Sequence, residues 1–286
     1  MYPAEFDYYR PASVAEAIGL LTTKENAKLL AGGHSLIPAM KLRLAQPGAL
    51  IDIGRIKELK GVTAHRGSIE IGAMTTHAAV AASGDVRSMA PLLAETAGQI
   101  GDQQVRNRGT IGGSLAHADP AADYPTAFIA LNGTVNVLGP KGARAIKASD
   151  FFVDLFTTAL AEDEVITSVQ VPIQFGSGAY AKHAHPASGY AVVGVAAVLA
   201  VRDGKVGDDI TLVVGGATSN PVRCLAAERA LAGQAPTVEN IAAAAAKVAD
   251  AISDPMGDIY ASGAYRVHLA TVMAKRALTS AVANAK

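Results

Sequence analysis

The sequence predicts an α+β chain in two parts, and three observations carry that prediction. Short alternating segments bounded by glycine or proline, such as SIEIGAM (68–74) and DEVITSVQVP (163–172), read as half-buried strands. Between them lie segments with helix start and stop signals. Near residue 175, in VPIQFGSGAY, the composition shifts, and beyond it a few strands precede a run of Ala-rich helices. No internal repeat at a solenoid period interrupts this order.

The elements follow in sequence. PASVAEAIGLL opens a helix with a capping box, Ser13 as N-cap and Glu16 three residues on, and the helix ends near TTKEN. AKLLAG is a short buried strand running into glycines, LIPAMKLRL is open between helix and strand, and ALIDIG is a strand. Thr76 caps a short helix through HAAVAAS, and APLLAETAGQIG is a helix with Pro91 near N1 that Gly101 stops. A glycine loop follows at once. TVNVLG is a strand that turns at GPKG, and Pro172 closes the strand DEVITSVQVP. In the second part YAVVGVAAVLAVRDGKVGDDITLVVGGATSNP gives strands joined by a Gly-containing turn. RCLAAERALAG, VENIAAAAAKVADAI and GAYRVHLATVMAKRALTSAVANA give helices, the last amphipathic.

Composition excludes several functions. The 286 residues carry no net charge and no Trp, and aromatics are 5%, so neither a basic field nor stacking platforms point to nucleic acid. Charged residues are 17%, below the usual quarter or so, which fits either a surface partly covered by other subunits or simply an Ala-rich chain. Cys224 is the only cysteine, so an iron–sulfur cluster or a Cys-rich zinc site has to sit on another chain, and Cys224 itself reads as a small buried hydrophobe. The first residues have no charged-then-apolar leader pattern, and the longest uncharged run, 183–201, is interrupted by His, Pro, Ser and Gly. The chain therefore reads as cytoplasmic, without an integral membrane segment.

Two Gly-Gly segments remain: LLAGGHSLIPAMKLRL (29–44) and TIGGSLAHADPAADYP (110–125). A diphosphate is held by several backbone N–H groups pointing into one concavity, and glycine keeps Cβ atoms out of it. Gly32 and Gly33 with Ser35, and Gly112 and Gly113 with Thr110 and Ser114, supply such positions with hydroxyl donors. Neither is a G-x-G-x-x-G turn or a P-loop, so the residues alone leave a two-loop phosphate or nucleotide site open beside ordinary tight turns.

Taken together, LLAGGHSLIPAMKLRL and QQVRNRGTIGGSLAHADPAADYP resemble the FAD-binding medium subunit of the molybdenum hydroxylases, the carbon monoxide dehydrogenase and xanthine dehydrogenase family; the resemblance runs from FDYYRPASVAEAIGLL to the C-terminal helix. It implies a PCMH-type FAD-binding domain at residues 1–175, built of two α+β subdomains (about 1–56 and 57–175), and a C-terminal α+β domain of a small sheet and helices at 176–286. It implies non-covalent FAD with its diphosphate wrapped on one side by Leu29, Leu30, Ala31, Gly32, Gly33, His34, Ser35 and Leu36. Thr110, Ile111, Gly112, Gly113 and Ser114 wrap the other. By the same resemblance Asp123 bonds the cofactor's sugar or linker hydroxyls, Ile100 and Ile166 are apolar contacts, Lys182 lies near the flavin's polar edge and Tyr190 covers one flavin face. YAKHAHPASGYAVVG is less basic than usual in that branch, and Ala121 stands where a glycine is common.

The implied role is electron transfer without a catalytic acid or base on this chain. The molybdopterin-type molybdenum cofactor and two [2Fe–2S] clusters would lie on a large and a small partner subunit, in a dimer of heterotrimers (a heterohexamer), with NAD, a quinone or dioxygen as acceptor. A self-sufficient flavin oxidoreductase would instead need a substrate pocket with a placed acid or base, and none stands out. His34 reads as local polar support in preference to a covalent flavin link. His183 and His185 share one strand face without further ligands, and His117, Asp119 and Asp123 read as part of the second loop. No metal site is expected. Arg106 and Arg108, flanking that loop, are left open between phosphate or partner contacts and plain exposure. Val238–Ile252 reads as a packing helix.

Overall fold

The computed structural model describes residues 2–285. It begins with a small parallel sheet. β1 (Asp7–Tyr9) and β2 (Ala27–Leu30) flank β3 (Ala49–Asp52). Between β1 and β2 runs α1 (Val14–Thr23), whose N-cap Ser13 accepts from Glu16 N while the Glu16 carboxylate accepts from Ala12 N at 2.7 Å. The Ser13 half of the capping box forms as its spacing predicts, whereas Glu16 reaches one residue further back, to Ala12 N and not to Ser13 N. The buried side of α1, Val14, Ala17 and Ile18, packs with Ile51, Ile53, Ile56 and Leu59. β2 is only half-buried, less than its apolar sequence suggested, because it is a sheet edge. LIPAMKLRL resolves as α2 (Leu36–Lys41), and a 3-10 turn at Lys57–Leu59 leads out of the sheet.

The second sheet has the order β4 (Val62–Ala64), β5 (Ser68–Gly72), β10 (Val165–Pro172), β6 (Thr134–Gly139), β7 (Gly142–Lys147), all antiparallel. β5 and β6 alternate buried with half-buried residues, and Ile69, Ile71, Val135, Val137, Val169 and Val171 form the inner face. Helices cover that face: α3 (His77–Ala82), α4 (Gly84–Met89), α5 (Pro91–Gly98), α7 (Ile111–His117) and α8 (Asp123–Ala130), while α6 (Gln103–Arg108) has no buried residue and packs against α3. Thr76 caps α3 and Pro91 opens α5, as expected. α5 ends at Gly98, three residues before Gly101, which instead adopts φ +46° in the turn that follows. α9 (Ala148–Phe151) and the hairpin β8 (Phe152–Asp154) with β9 (Thr157–Thr158) complete this half.

The third sheet, β11 (Ser177–Ala184), β12 (Ala191–Leu199), β15 (Thr211–Gly215) and β16 (Val222–Arg223), lies across α5 and α8. The hairpin β13 (Val201–Arg202) and β14 (Lys205–Val206) projects between β12 and β15. β12 is buried along its entire length: Ala196 and Val198 face the helices of the first half, and Val193, Val195, Ala197 and Leu199 face the C-terminal helices. A continuous apolar run is what a strand covered on both faces requires. The second cover consists of α10 (Leu225–Leu231), α11 (Val238–Ala246) and α12 (Gly263–Asn284). α11 tightens into a 3-10 turn over Lys247–Ala251, so the packing helix expected to Ile252 is α-helical only to Ala246. Cys224 is fully buried, and burial raises its thiol pKa to about 12, which keeps it inert.

Arg266, on α12, ties this domain together. Its guanidinium donates to Val192 O at 2.6 Å, Gly216 O at 2.7 Å and Asp258 at 2.6 Å, and the residue is buried. Arg266→Met strands two buried carbonyls, so a loss of about 3 kcal/mol in unfolding free energy is expected, read by urea titration.

Candidate functional site

The first Gly-Gly segment begins where β2 leaves the sheet. Gly33 takes φ +77°, a conformation that L side chains rarely adopt, and Ile37 N donates back to Gly33 O as α2 starts. The turn leaves the backbone N–H groups of Gly32, Gly33, His34 and Ser35 without an acceptor among the described residues. His34 Nδ1 lies 3.2 Å from Gly32 O, so the exposed imidazole props the turn. Leu29, Leu30, Ala31 and Leu36 are half-buried around it.

The second segment is not a loop. Thr110 is the N-cap of α7, its Oγ1 accepting from Gly113 N, and Gly112 and Gly113 form the first helical turn. Its amides are largely consumed: Ile111 N donates to Thr75 O at 3.0 Å and Gly112 N to Ala73 O at 2.9 Å, while Ala73 N donates to Thr167 O at 3.0 Å. The expectation that both glycine pairs present free donors therefore holds only for the first. Gly112 is needed for packing, since a Cβ there would lie 2.6 Å from the Ala73 Cβ. Ile111 is buried, and Gly113 and Ser114 are half-buried. Sequence reading also missed α6, because QQVRNR has no apolar periodicity and only its N-cap Asp102 marks it.

The two segments meet backbone to backbone. A Cβ on Gly32 would lie 2.3 Å from Arg108 O and 2.8 Å from Gly109 Cα, and one on Gly113 would lie 3.4 Å from the Ala31 Cβ. Beneath the contact sits His77, whose Nε2 would lie 2.4 Å from a Cβ on Gly109. Burial lowers the His77 pKa to about 4, with the neighbouring His34 and Arg106 acting in the same direction, so it is neutral at physiological pH. Arg106 donates to Ile100 O at 2.9 Å and Gly101 O at 3.2 Å and so holds the preceding turn, whereas Arg108 is exposed.

Asp123, the first residue of α8, is buried, and each of its carboxylate oxygens accepts one hydrogen bond from the C-terminal domain. Tyr180 Oη donates to its Oδ1 at 2.7 Å and Lys182 Nζ to its Oδ2 at 2.9 Å; Lys182 Nζ also donates to Gln99 O at 2.9 Å. Both charged side chains are 4% exposed. Burial raises the Asp123 pKa, and the Lys182 charge and the two donated hydrogen bonds oppose it. Lys182 is thus spent on an acid of the first half and on a carbonyl. Tyr180 has a sequence signal that reading by resemblance passed over: it stands two residues before Lys182, on the same face of β11.

Tyr190 lies close to Ser35 and Asp119. Burial raises its phenol pKa, the Asp119 carboxylate adds to this, and the Ser35 hydroxyl opposes it. The turn that carries it is seated by Ala191 N donating to Ala121 O at 3.2 Å. Ile100 is half-buried at the edge of the shared core, and Ile166 lies inside that core beside the bulge of β10. His117 turns to Phe156, with ring centroids 5.1 Å apart, and Asp119 accepts from Ala121 N at 2.9 Å. His183 faces Tyr265 and His185 faces Tyr260. No cluster of three or more His, Cys, Asp or Glu suited to a metal ion exists among the described residues. No helix among them is long and apolar enough to cross a membrane.

Four consecutive free amides in a glycine turn, braced against the start of α7, match what a dinucleotide diphosphate requires. The comparisons name the dinucleotide. Residues 4–174 match the family model described as the FAD binding domain in molybdopterin dehydrogenase, and residues 178–281 match the CO dehydrogenase flavoprotein C-terminal domain. The chain is 41% identical over 284 residues to the carbon monoxide dehydrogenase medium chain of Hydrogenophaga pseudoflava, covering 98% of each. It is 38% identical over 274 residues to the nicotine 6-hydroxylase medium subunit of Paenarthrobacter nicotinovorans, covering 96% of each. Among solved structures, carbon monoxide dehydrogenase from Hydrogenophaga pseudoflava superimposes with a TM-score of 0.95 at 42% identity over the full length of both chains. The chain, an FAD-binding domain followed by a C-terminal domain, belongs to the FAD-binding medium subunits of the molybdenum hydroxylases, the family of carbon monoxide dehydrogenase and xanthine dehydrogenase.

Proposed function

We propose that this chain is the electron-transfer subunit of a three-subunit molybdenum hydroxylase. It takes electrons from [2Fe–2S] clusters on a small partner and passes them to NAD, a quinone or dioxygen, while a large partner carries the molybdenum cofactor. Two such heterotrimers would form the assembly. The observation that carries the reading is the row of unengaged amides from Gly32 to Ser35 beside the α7 N-terminus, in a family defined by FAD binding. The single cysteine supports the division of labour, since cluster ligation takes several thiolates.

FAD, when bound, accepts and releases electrons singly or in pairs. The chain's task is to bind and orient it. Within Leu29–Leu36, which wrap the diphosphate, Gly32 to Ser35 supply the amides and Ser35 its hydroxyl, and Thr110–Ser114 back them. Asp123 offers an acceptor to sugar or linker hydroxyls, Ile100 and Ile166 supply apolar surroundings, and Tyr190, tethered near Ser35, covers one side of the ring. Lys182 acts by way of Asp123. The domain division at about residue 175, with subdomains meeting near 56, is supported by the three separate sheets, which span 7–52, 62–172 and 177–223.

The purified chain is expected to show a flavin absorption spectrum, and acid precipitation is expected to leave a colourless pellet and a yellow supernatant. A yellow pellet would place the flavin in covalent linkage. A colourless chain that takes up no added FAD would overturn the reading.

A further inference from the structure

We propose that Tyr180 is a positioning residue for FAD: together with Lys182 it reaches out of the C-terminal domain and fixes the carboxylate of Asp123 for the cofactor's hydroxyl chain. This rests on the FAD reading above.

The geometry is built for that single contact. Tyr180 and Lys182 stand at i and i+2 on β11, so both side chains leave the same face, and each donates to a different oxygen of Asp123. A carboxylate has about four lone-pair sites on its two oxygens, so each oxygen keeps capacity to accept again. Acceptors of that kind suit hydroxyl donors and repel phosphates, which assigns Asp123 to the sugar or linker part of a dinucleotide. Tyr180 is buried, and its path to Asp123 crosses β12.

The sheet makes room for it. Gly194 on β12 and Gly215 on β15 are cross-strand partners. A Cβ on Gly194 would lie 2.0 Å from Tyr180 Oη, and one on Gly215 would lie 2.0 Å from Thr126 Oγ1 on α8. This pair of glycines lets the first turn of α8 settle on the third sheet, and Gly194 lets the phenol pass between them. The neighbouring Tyr124 supplies the contrast, since its hydroxyl is buried with no partner among the described residues.

The experiment measures FAD affinity of the full chain after flavin removal, by quenching of flavin fluorescence. Tyr180→Phe keeps the ring and removes only the donor, and it is expected to weaken FAD binding about tenfold, the usual worth of a hydrogen bond to a charged group. Gly194→Ala, which displaces the phenol from the other side, is expected to do the same. Tyr124→Phe is expected to leave affinity within about twofold. In an Asp123→Asn background Tyr180→Phe is expected to add less than about twofold, because the two act through one contact. Unchanged affinity in Tyr180→Phe overturns the proposal. So does an equal factor in the Asp123→Asn background, which makes Tyr180 a packing residue. A wild-type chain that binds no FAD overturns the FAD reading, and this inference falls with it; a wild type that binds while the cycle is additive overturns only this inference.

Discussion

Gly32→Val is expected to abolish FAD retention while the C-terminal domain stays folded. The added Cβ would lie 2.3 Å from Arg108 O, 2.8 Å from Gly109 Cα and 2.9 Å from Arg108 C. These are main-chain atoms anchored by Gly109 N donating to Val105 O at 2.7 Å and by His77 N donating to Gly109 O at 3.0 Å, so no side chain can swing aside. The first turn has to move away from α7, and the row of amides loses its backing. Overpacking costs about 1–3 kcal/mol; against anchored main chain the upper end applies, and about 3 kcal/mol amounts to a Kd for FAD raised by about a hundredfold. Equilibrium dialysis against FAD reads the loss, and the melting of the flavin-free chain checks that the fold persists. Retention of FAD by Gly32→Val would sink the assignment of the turn to the diphosphate.

Lys182→Met should be the most destabilising single change near the site. It leaves the Asp123 carboxylate buried without its counter-ion and Gln99 O without its donor. Breaking a buried pair on one side costs about 3–5 kcal/mol. Burial already raises the Asp123 pKa in the folded chain, and removing the opposing Lys182 charge raises it further. Between the unfolded and folded values the native state binds more protons, so stability falls as pH rises through that window. Lys182→Met extends the window upward, and thermal melts are expected to show a larger deficit at pH 8 than at pH 5. Lys182→Met combined with Asp123→Asn should recover most of the loss, since no buried charge then lacks a partner. An equal deficit at both pH values would mean that Asp123 does not feel Lys182.

The local signals were legible because they depend on neighbours in the chain. Ser13 with Glu16, Thr76 and Pro91 start their helices where the spacing places them, since capping joins groups three or four residues apart. The alternation in SIEIGAM gave the buried face of β5, and YAVVGVAAVLAV read as a strand, whose cover on both faces only the structure shows. The same reading failed at Gly101 and at QQVRNR. There the helix ends are decided by the turn that packs against Arg106 and by an N-cap with no apolar stripe behind it.

The α+β class, the order of most elements and the lack of cluster-ligating thiols were readable from the chain's own residues, and the family and its dinucleotide from the resemblance that its two Gly-Gly segments carry. Tertiary structure alone decided which motif presents its amides. Ala73 and Thr75 consume those of Ile111 and Gly112, while nothing among the described residues consumes those of Gly32 to Ser35. It also decided that Asp123 answers to Tyr180 and Lys182, 57 and 59 residues away, through a gap left by Gly194. Periodicity specifies the face a residue occupies, because that is set by its own backbone. Its partner across the core is set by how the sheets and helices stack, and that depends on contacts distant in the chain.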